Sequence, residues 1–107
     1  MDSFIDTDFL EWQPVRPDVA QGVFGRIILD NGTKMVVTRV VPGGCFTPHC
    51  DGYGHLFYFL SGSGIVGVGK EEAPARPGLV VRVAAGEEHW YRNTGSDDLM
   101  LISANIP

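Results

Sequence analysis

From residue 23 onward, the chain alternates between short runs rich in Val and Ile and turns made of Gly, Pro, Asn and Asp. The runs read VFGRIIL, KMVVTRVV, HLFYFL, GIVGVG, LVVRV, HWY and LMLISANI. β-Branched and aromatic residues in runs of this length are typical of strands. No apolar period of 3.6 residues persists for the roughly 10 to 12 residues that a helix needs. The pattern therefore predicts an all-β fold of seven or eight short strands.

The first two runs are joined by Asp30-Asn31-Gly32. Asn-Gly between alternating apolar segments predicts a tight antiparallel hairpin, because both residues tolerate positive φ. Antiparallel strands without covering helices must bury their core by packing sheet on sheet, as a sandwich or barrel. A length of 107 residues with 44% apolar content suits one domain. We predict a barrel over residues 21–107, preceded by an irregular lead-in over residues 1–20 that packs on the barrel.

Charge and composition narrow the classes of partner. The formal net charge is −5, from 13 acidic and 8 basic residues, and there is no basic stripe, so nucleic acid is not expected as a partner. No apolar run approaches the roughly 20 residues that span a bilayer, and the N-terminal residues are acidic where an export signal carries Lys or Arg. We therefore expect a cytoplasmic protein without a membrane partner, in which Cys45 and Cys50 are reduced thiols.

Two of the three histidines lie close together with an aspartate, at His49, Asp51 and His55. Side chains alternate between the faces of a strand, so His49 and Asp51 share one face while Cys50 points to the other. The segment Gly52-Tyr53-Gly54 permits a sharp reversal. We expect this reversal to bring His55 alongside the other two on the adjoining strand. Three potential metal ligands would then face one cavity.

The strand after His55 is apolar on both faces. Alternation places Phe57 and Phe59 on the ligand face and predicts the opposite face for Leu56, Tyr58 and Leu60. A strand with two apolar faces has one face to line the cavity and another to pack on a second layer or a second subunit. This arrangement favours a homodimer.

Imidazole and carboxylate together suit a first-row divalent ion such as Fe, Mn, Co, Ni or Zn. The ligand face carries no cysteine, which argues against a thiolate-rich structural zinc site. A single histidine is more often an ordinary surface or hydrogen-bonded residue. The convergence of two histidines and a carboxylate weighs against that interpretation here.

Two longer patterns bracket these residues. The first runs Gly, five residues, His-x-Asp, three residues, His, six residues, Gly, and comprises Gly43, His49, Asp51, His55 and Gly62. The second runs Gly, five residues, Ala-x-Gly, two residues, His, three residues, Asn, and comprises Gly78, Ala84, Gly86, His89 and Asn93. In spacing they resemble the two motifs of the cupin superfamily, over about residues 35–105. The resemblance implies a cupin β-barrel (a double-stranded β-helix, or jelly roll) and adds His89 to the ligand set.

Three positions depart from the family pattern. Asp51 stands where the family usually has its second histidine, His55 where it usually has glutamate, and Ala84 where it usually has proline. The first two departures compensate, so three imidazoles and one carboxylate remain. Four protein ligands on a six-coordinate ion leave two positions for substrate, water or dioxygen.

The resemblance implies a metal-dependent enzyme, of oxygenase or isomerase/lyase type, that acts on a small organic molecule. The alternative is a non-catalytic cupin module that binds a small molecule or sugar; a storage-type barrel with a vestigial site conflicts with the complete ligand set. Tyr91 lies two residues after His89 and so faces the cavity, as a hydrogen-bond donor or general acid, or simply as a core aromatic. Weaker candidates are Arg39, Glu87 and Glu88.

Overall fold

The computed structural model describes residues 2–107 and is almost entirely β. One short 3-10 helix, Thr7–Phe9, precedes the strands. The strands of the described chain are β1 (Gln13–Pro14), β2 (Ala20–Asp30), β3 (Lys34–His49), β4 (Gly54–Ser61), β5 (Gly64–Val68), β6 (Glu71–Ala75), β7 (Val80–Val83), β8 (His89–Asn93) and β9 (Leu99–Ile106). The predicted all-β class is confirmed. No helix within residues 2–107 has the length and apolar character needed to cross a membrane.

The long strand β3 belongs to both arms of one curled sheet. Its first half, residues 35–40, pairs with β9, and its last residues, 45–49, pair with β8. From β9 the sheet continues to β4 and β7, and from β8 it continues to β5 and β6. Strand β2 pairs with β3 along both halves. The chain thus forms two arms joined through the β2–β3 hairpin.

The core lies between these arms. Phe57 and Phe59 of β4 meet Tyr91 of β8 edge to face, with ring centroids 5.5 Å and 6.4 Å apart, although β4 and β8 are not paired strands. Leu99 and Leu101 of β9 are fully buried in the same cluster. Burial of each large apolar side chain contributes about 1.5 to 3 kcal/mol. The inward direction of Phe57 and Phe59 agrees with the alternation of their strand.

The predicted hairpin between β2 and β3 is present, but its turn is longer than the tight turn that Asn-Gly suggests. Asp30 pairs with Lys34, which leaves three residues in the loop. Gly32 has a φ of 101°, whereas Asn31 does not have positive φ. A two-residue turn would need positive φ at both positions. The register of the flanking strands selects the three-residue turn instead.

Nine strands in the described chain exceed the seven or eight that we predicted. The two missed strands are β1, within the predicted lead-in, and β6. The sequence of β6, EEAPA, lacks any apolar alternation and contains Pro74. Proline is tolerated on an edge strand, and β6 is the edge beyond β5. Both strands are fixed by their partners and not by their own residue pattern.

The N-terminal segment packs against the core through its second half. Strand β1 pairs with β2, and Val15 and Val19 pack against the core. Phe4 and Phe9 remain 94% and 87% exposed. The side chains of Phe4 and Phe9 therefore do not cover the core.

Candidate metal centre

All three histidines are carried by strand ends that open on one cavity. His49 is the last residue of β3, and its partner across the ladder is His89, the first residue of β8. His55 is the second residue of β4. The ring centroid of His89 lies 4.3 Å from that of His49 and 4.5 Å from that of His55. His89 thus contacts both of the other imidazoles.

We predicted that His55 would lie on the strand next to β3, and this prediction is wrong. Within the described chain β4 pairs with β9 and β7, so the partners of His55 are Asn105 and Val83. The segment after His49 is a crossover between the two arms and does not close a hairpin. Asp51 lies in this crossover, outside β3, and its carbonyl accepts a hydrogen bond from the Gly86 N–H at 2.7 Å.

One oxygen of Asp51 faces all three imidazoles. The Oδ2 atom lies 2.8 Å from Nε2 of His55. It lies 3.5 Å from Nε2 of His49 and 3.8 Å from Nε2 of His89. Neighbouring ligands of one ion with bonds of about 2.1 Å are roughly 3.0 to 3.4 Å apart. The ligand atoms of His49, Asp51 and His89 lie within 4.8 Å of one another and could hold an ion.

Backbone carbonyls fix the orientation of two of the imidazoles. Nδ1 of His49 lies 2.7 Å from the Thr47 carbonyl, and Nδ1 of His89 lies 3.0 Å from the Glu87 carbonyl. An Nδ1–H that donates to a carbonyl leaves the Nε2 lone pair free, which is the usual arrangement of metal-binding histidines. The orientations of His49 and His89 therefore fit a divalent ion.

The protonation states of the site also suit metal binding. Burial lowers the pKa of His89, and the hydrogen bond to Glu87 offsets this only in part. Burial raises the pKa of Asp51, but the hydrogen bonds from His55 and Arg16 outweigh that effect and leave it below its usual range. A neutral imidazole thus faces an ionised carboxylate, and these are the forms that bind metals.

Arg16 is part of the site and was missed by the sequence analysis. Its Nη1 donates to Oδ1 of Asp51 at 3.2 Å, while Nε and Nη2 donate to the carboxylate of Asp18, each at 3.2 Å. These bonds raise the pKa of Arg16 above its ordinary value. Arg16 is also the only non-glycine residue with positive φ, 42°, in the part of the chain that the structure describes. Arg16 and Asp51 are 35 residues apart, and the segment around Arg16 has no apolar periodicity. No local sequence pattern therefore indicates their contact.

The site opens on a cavity of about 250 Å³. Its walls are mainly apolar and include Val15, Ile27, Val36, Phe46 and Phe57. Tyr91 also lines the cavity, is 3% exposed, and packs edge to face on three phenylalanine rings, those of Phe46, Phe57 and Phe59. Burial raises the pKa of Tyr91, so its hydroxyl stays protonated at neutral pH. Its catalytic role stays a prediction.

The weaker candidates lie elsewhere. The Arg39 guanidinium lies 4.4 Å from the ring centroid of Trp12 and 5.5 Å from that of Phe24, outside the cavity lining. The carboxylate of Glu87 accepts a backbone N–H within its own turn. The two cysteines form no disulfide within residues 2–107, and Cys50 is exposed.

The chain thus forms a single all-β barrel whose imidazole and carboxylate groups face one cavity and could hold a metal ion. The family model described as Cupin domain matches residues 36–105, which is more than half of the chain. This chain therefore belongs to the cupin family. A comparison with curated protein sequences finds no match.

Solved structures with the same fold include enzymes. The polyketide cyclase RemF from Streptomyces resistomycificus superposes with a TM-score of 0.87 at 19% identity, covering 98% of this chain and 79% of that one. A predicted oxalate decarboxylase from Thermotoga maritima gives 0.85 at 21% identity, covering 96% and 97%. KdgF from a Halomonas species gives 0.83 at 20% identity, covering 100% and 96%. At these identities the likeness shows the fold alone.

Proposed function

We propose that this cupin is a metal-dependent enzyme that acts on a small organic molecule. In this proposal His49, Asp51, His55 and His89 hold one divalent ion, which is Fe, Mn, Ni, Co or Zn. The single observation that carries the proposal is the position of Asp51 Oδ2, which faces the Nε2 atoms of all three histidines at 2.8 to 3.8 Å. Imidazole and carboxylate are the ligands that these metals prefer.

The bound ion would supply either a site for dioxygen and substrate together, if it is iron, or Lewis-acid polarisation of a carbonyl or enol. The protein's own contribution is the surrounding wall. Phe46 and Phe57 exclude water from the substrate, which strengthens electrostatic contacts in the cavity. The protonated hydroxyl of Tyr91 is available as a hydrogen-bond donor toward the cavity.

The names of two structural relatives, a polyketide cyclase and a predicted oxalate decarboxylase, support an enzyme over a non-catalytic binding module. The reaction type, oxygenase or isomerase/lyase, follows from the metal and is tested by turnover. Protein loaded with Fe(II) and with Mn(II) is incubated with candidate small molecules in air and without oxygen. Turnover only in air indicates an oxygenase, turnover in both indicates an isomerase or lyase, and tight binding without turnover favours the module.

Protein purified at pH 7.5 is expected to carry close to one divalent ion per chain, and to release it as the pH falls below about 6. Protons compete with the ion for each imidazole, so affinity falls with pH below the ordinary histidine pKa of about 6.5. Because burial lowers the pKa of His89, that residue stays neutral to a lower pH than an exposed histidine. Elemental analysis after dialysis at stepwise pH measures the loss. Unchanged metal content at pH 5, or no ion at pH 7.5, contradicts histidine ligation.

We further propose a homodimer formed through the outer face of β4 and its neighbours. Tyr58, Leu60 and Val80 are 43%, 40% and 52% exposed there. Tyr58 pairs directly with Val80 of β7 and with Ile102 of β9, so these side chains form one continuous apolar face. An apolar face of this kind can meet its own copy about a two-fold axis. A second copy is therefore the partner that we propose for this face.

Light scattering behind size-exclusion chromatography is expected to give twice the mass of one chain at micromolar concentration. Tyr58→Lys should shift the mass to that of one chain, because it places a charge in the interface. Phe9→Lys, at an exposed aromatic far from β4 in sequence, is the control and should leave the mass unchanged. A wild-type mass of one chain at every concentration would refute the dimer.

A further inference from the structure

The charges around the cavity differ from those of the chain as a whole. The chain has 13 acidic and 8 basic residues. The cavity lining, in contrast, includes two cationic side chains, Arg16 and Lys34, and one acidic side chain, Asp51. The acidic excess of the protein is thus kept away from the place where a small molecule would bind.

Arg16 retains hydrogen-bonding capacity despite its two carboxylate partners. A guanidinium has five N–H donors. Within the described residues three of its N–H groups are bonded, two to Asp18 and one to Asp51. The remaining two, one on Nη1 and one on Nη2, can each donate to a further acceptor. The side chain is 41% exposed, so an incoming anion has access to it.

Lys34 supplies the second cationic group from a different part of the wall. It is the first residue of β3, whereas His49 is the last, so the cavity is bordered by both ends of this strand. Hydroxyl and amide groups of Ser103 and Asn105 on β9 also line the cavity. In the described chain Lys34 forms no ion pair, although Asp30 stands opposite it in the β2–β3 ladder. Its ammonium group is therefore available to a ligand.

The charge balance favours a dianion. When Asp18 is counted as well, the formal charges of these side chains sum to zero. Arg16 and Lys34 each contribute +1, and Asp18 and Asp51 each contribute −1. With a divalent ion in the site, the sum becomes +2. We propose that Arg16 and Lys34 are specificity residues that select a small organic dianion, a dicarboxylate in particular. One carboxylate lies at the ion and Arg16, and the other lies at Lys34. This inference rests on the proposed metal site.

Succinate and its uncharged diamide, succinamide, are suitable probes because they match in length and differ in charge. Isothermal titration of Mn(II)-loaded protein is expected to show succinate binding at least roughly tenfold tighter than succinamide. Arg16→Gln and Lys34→Gln should each weaken succinate binding by about tenfold, since each removes one charge-assisted contact. Neither variant should alter succinamide binding comparably. Lys70→Gln, at an exposed lysine outside this cavity, is the matched control and should bind succinate like the wild type.

Metal stoichiometry and thermal unfolding are measured on the same samples. Full metal loading with equal affinity for succinate and succinamide, or with wild-type affinity in both variants, overturns the dianion inference and leaves the metal site intact. If no ion binds at all, the proposed function fails. In that case the dianion inference fails as well, because the charges of the protein groups alone sum to zero. Lys34→Gln keeps the test decisive should Arg16→Gln disturb the fold.

Discussion

His89→Ala is expected to abolish metal binding and also to destabilise the metal-free protein. His89 is 2% exposed, and its ring lies among those of His49, His55 and Phe57, at 4.3 to 6.0 Å between centroids. The variant loses one of four proposed ligands. Its affinity for the metal should therefore fall by more than about 100-fold, which is more than the loss of a residue that only supports a ligand through a hydrogen bond would cause. The cavity left by the ring should lower the free energy of unfolding by about 2 to 4 kcal/mol.

The two losses are measured separately. Competition with a chromophoric chelator gives the metal affinity, and urea unfolding of metal-free protein gives the stability. Phe46→Leu is the matched control, because Phe46 is buried and stacks on His49 at 4.4 Å between centroids but offers no ligand atom. It should lower stability and preserve metal affinity within a few-fold. A His89→Ala protein that binds the ion as tightly as the wild type would remove His89 from the ligand set.

The exchange of histidine and carboxylate between positions 51 and 55 has a structural counterpart in Arg16. The guanidinium donates to Oδ1 of Asp51 and leaves Oδ2 for the imidazoles. A histidine at position 51 would put an imidazole beside the guanidinium and remove a solvent-screened charge-assisted bond, which is worth about 0.2 to 1 kcal/mol. Arg16 therefore favours the carboxylate on the crossover and the imidazole on β4. The sequence pattern displayed the exchange, but not its physical reason.

The sequence correctly predicts the features that depend on the alternation of apolar and polar residues within one segment. The run LMLISANI coincides with β9, and the inward direction of Phe57 and Phe59 follows from the period of two along β4. Pairing between distant segments is different. The partners of β4, the edge strand β6 and the contact of Arg16 with Asp51 all depend on residues far apart in the chain. Alternation within a single segment contains no information about these partners.

The motif residue Asn93 illustrates the same limit. Its spacing after His89 matched the second pattern, but spacing did not reveal what the side chain does. Its Nδ2 donates to the carbonyls of Val40, at 2.9 Å, and Asp97, at 2.8 Å, while its Oδ1 accepts from the Gly95 N–H at 2.8 Å. Asn93 is 4% exposed. It thus ties the turn before β9 to β3 and is a structural member of the motif.

Gly62→Ala is expected to be among the most destabilising single substitutions in this protein, far more so than Gly43→Ala. Gly43 and Gly62 are the first and last residues of the first motif, and both have positive φ, 80° at Gly43 and 86° at Gly62. A Cβ at Gly62 would lie 2.4 Å from the Asp98 carbonyl oxygen and 2.8 Å from the Leu99 Cα, both backbone atoms. A Cβ at Gly43 meets nothing within 4 Å in the described structure. The backbone conformation alone costs about 1 to 2 kcal/mol for alanine, and this cost applies to both positions.

The close approach at Gly62 adds to that cost, because the backbone before β9 must move to admit a methyl group. We expect Gly62→Ala to lower the free energy of unfolding by about 3 to 5 kcal/mol, a large part of the roughly 5 to 15 kcal/mol that a domain has. Urea unfolding compares the two variants, and soluble yield with proteolysis of the soluble fraction replaces it where Gly62→Ala is too unstable. Equal decreases in the free energy of unfolding at the two positions would show that positive φ alone accounts for the need for glycine at both. The larger loss at Gly62 would show that this glycine also allows the turn after β4 to approach the start of β9.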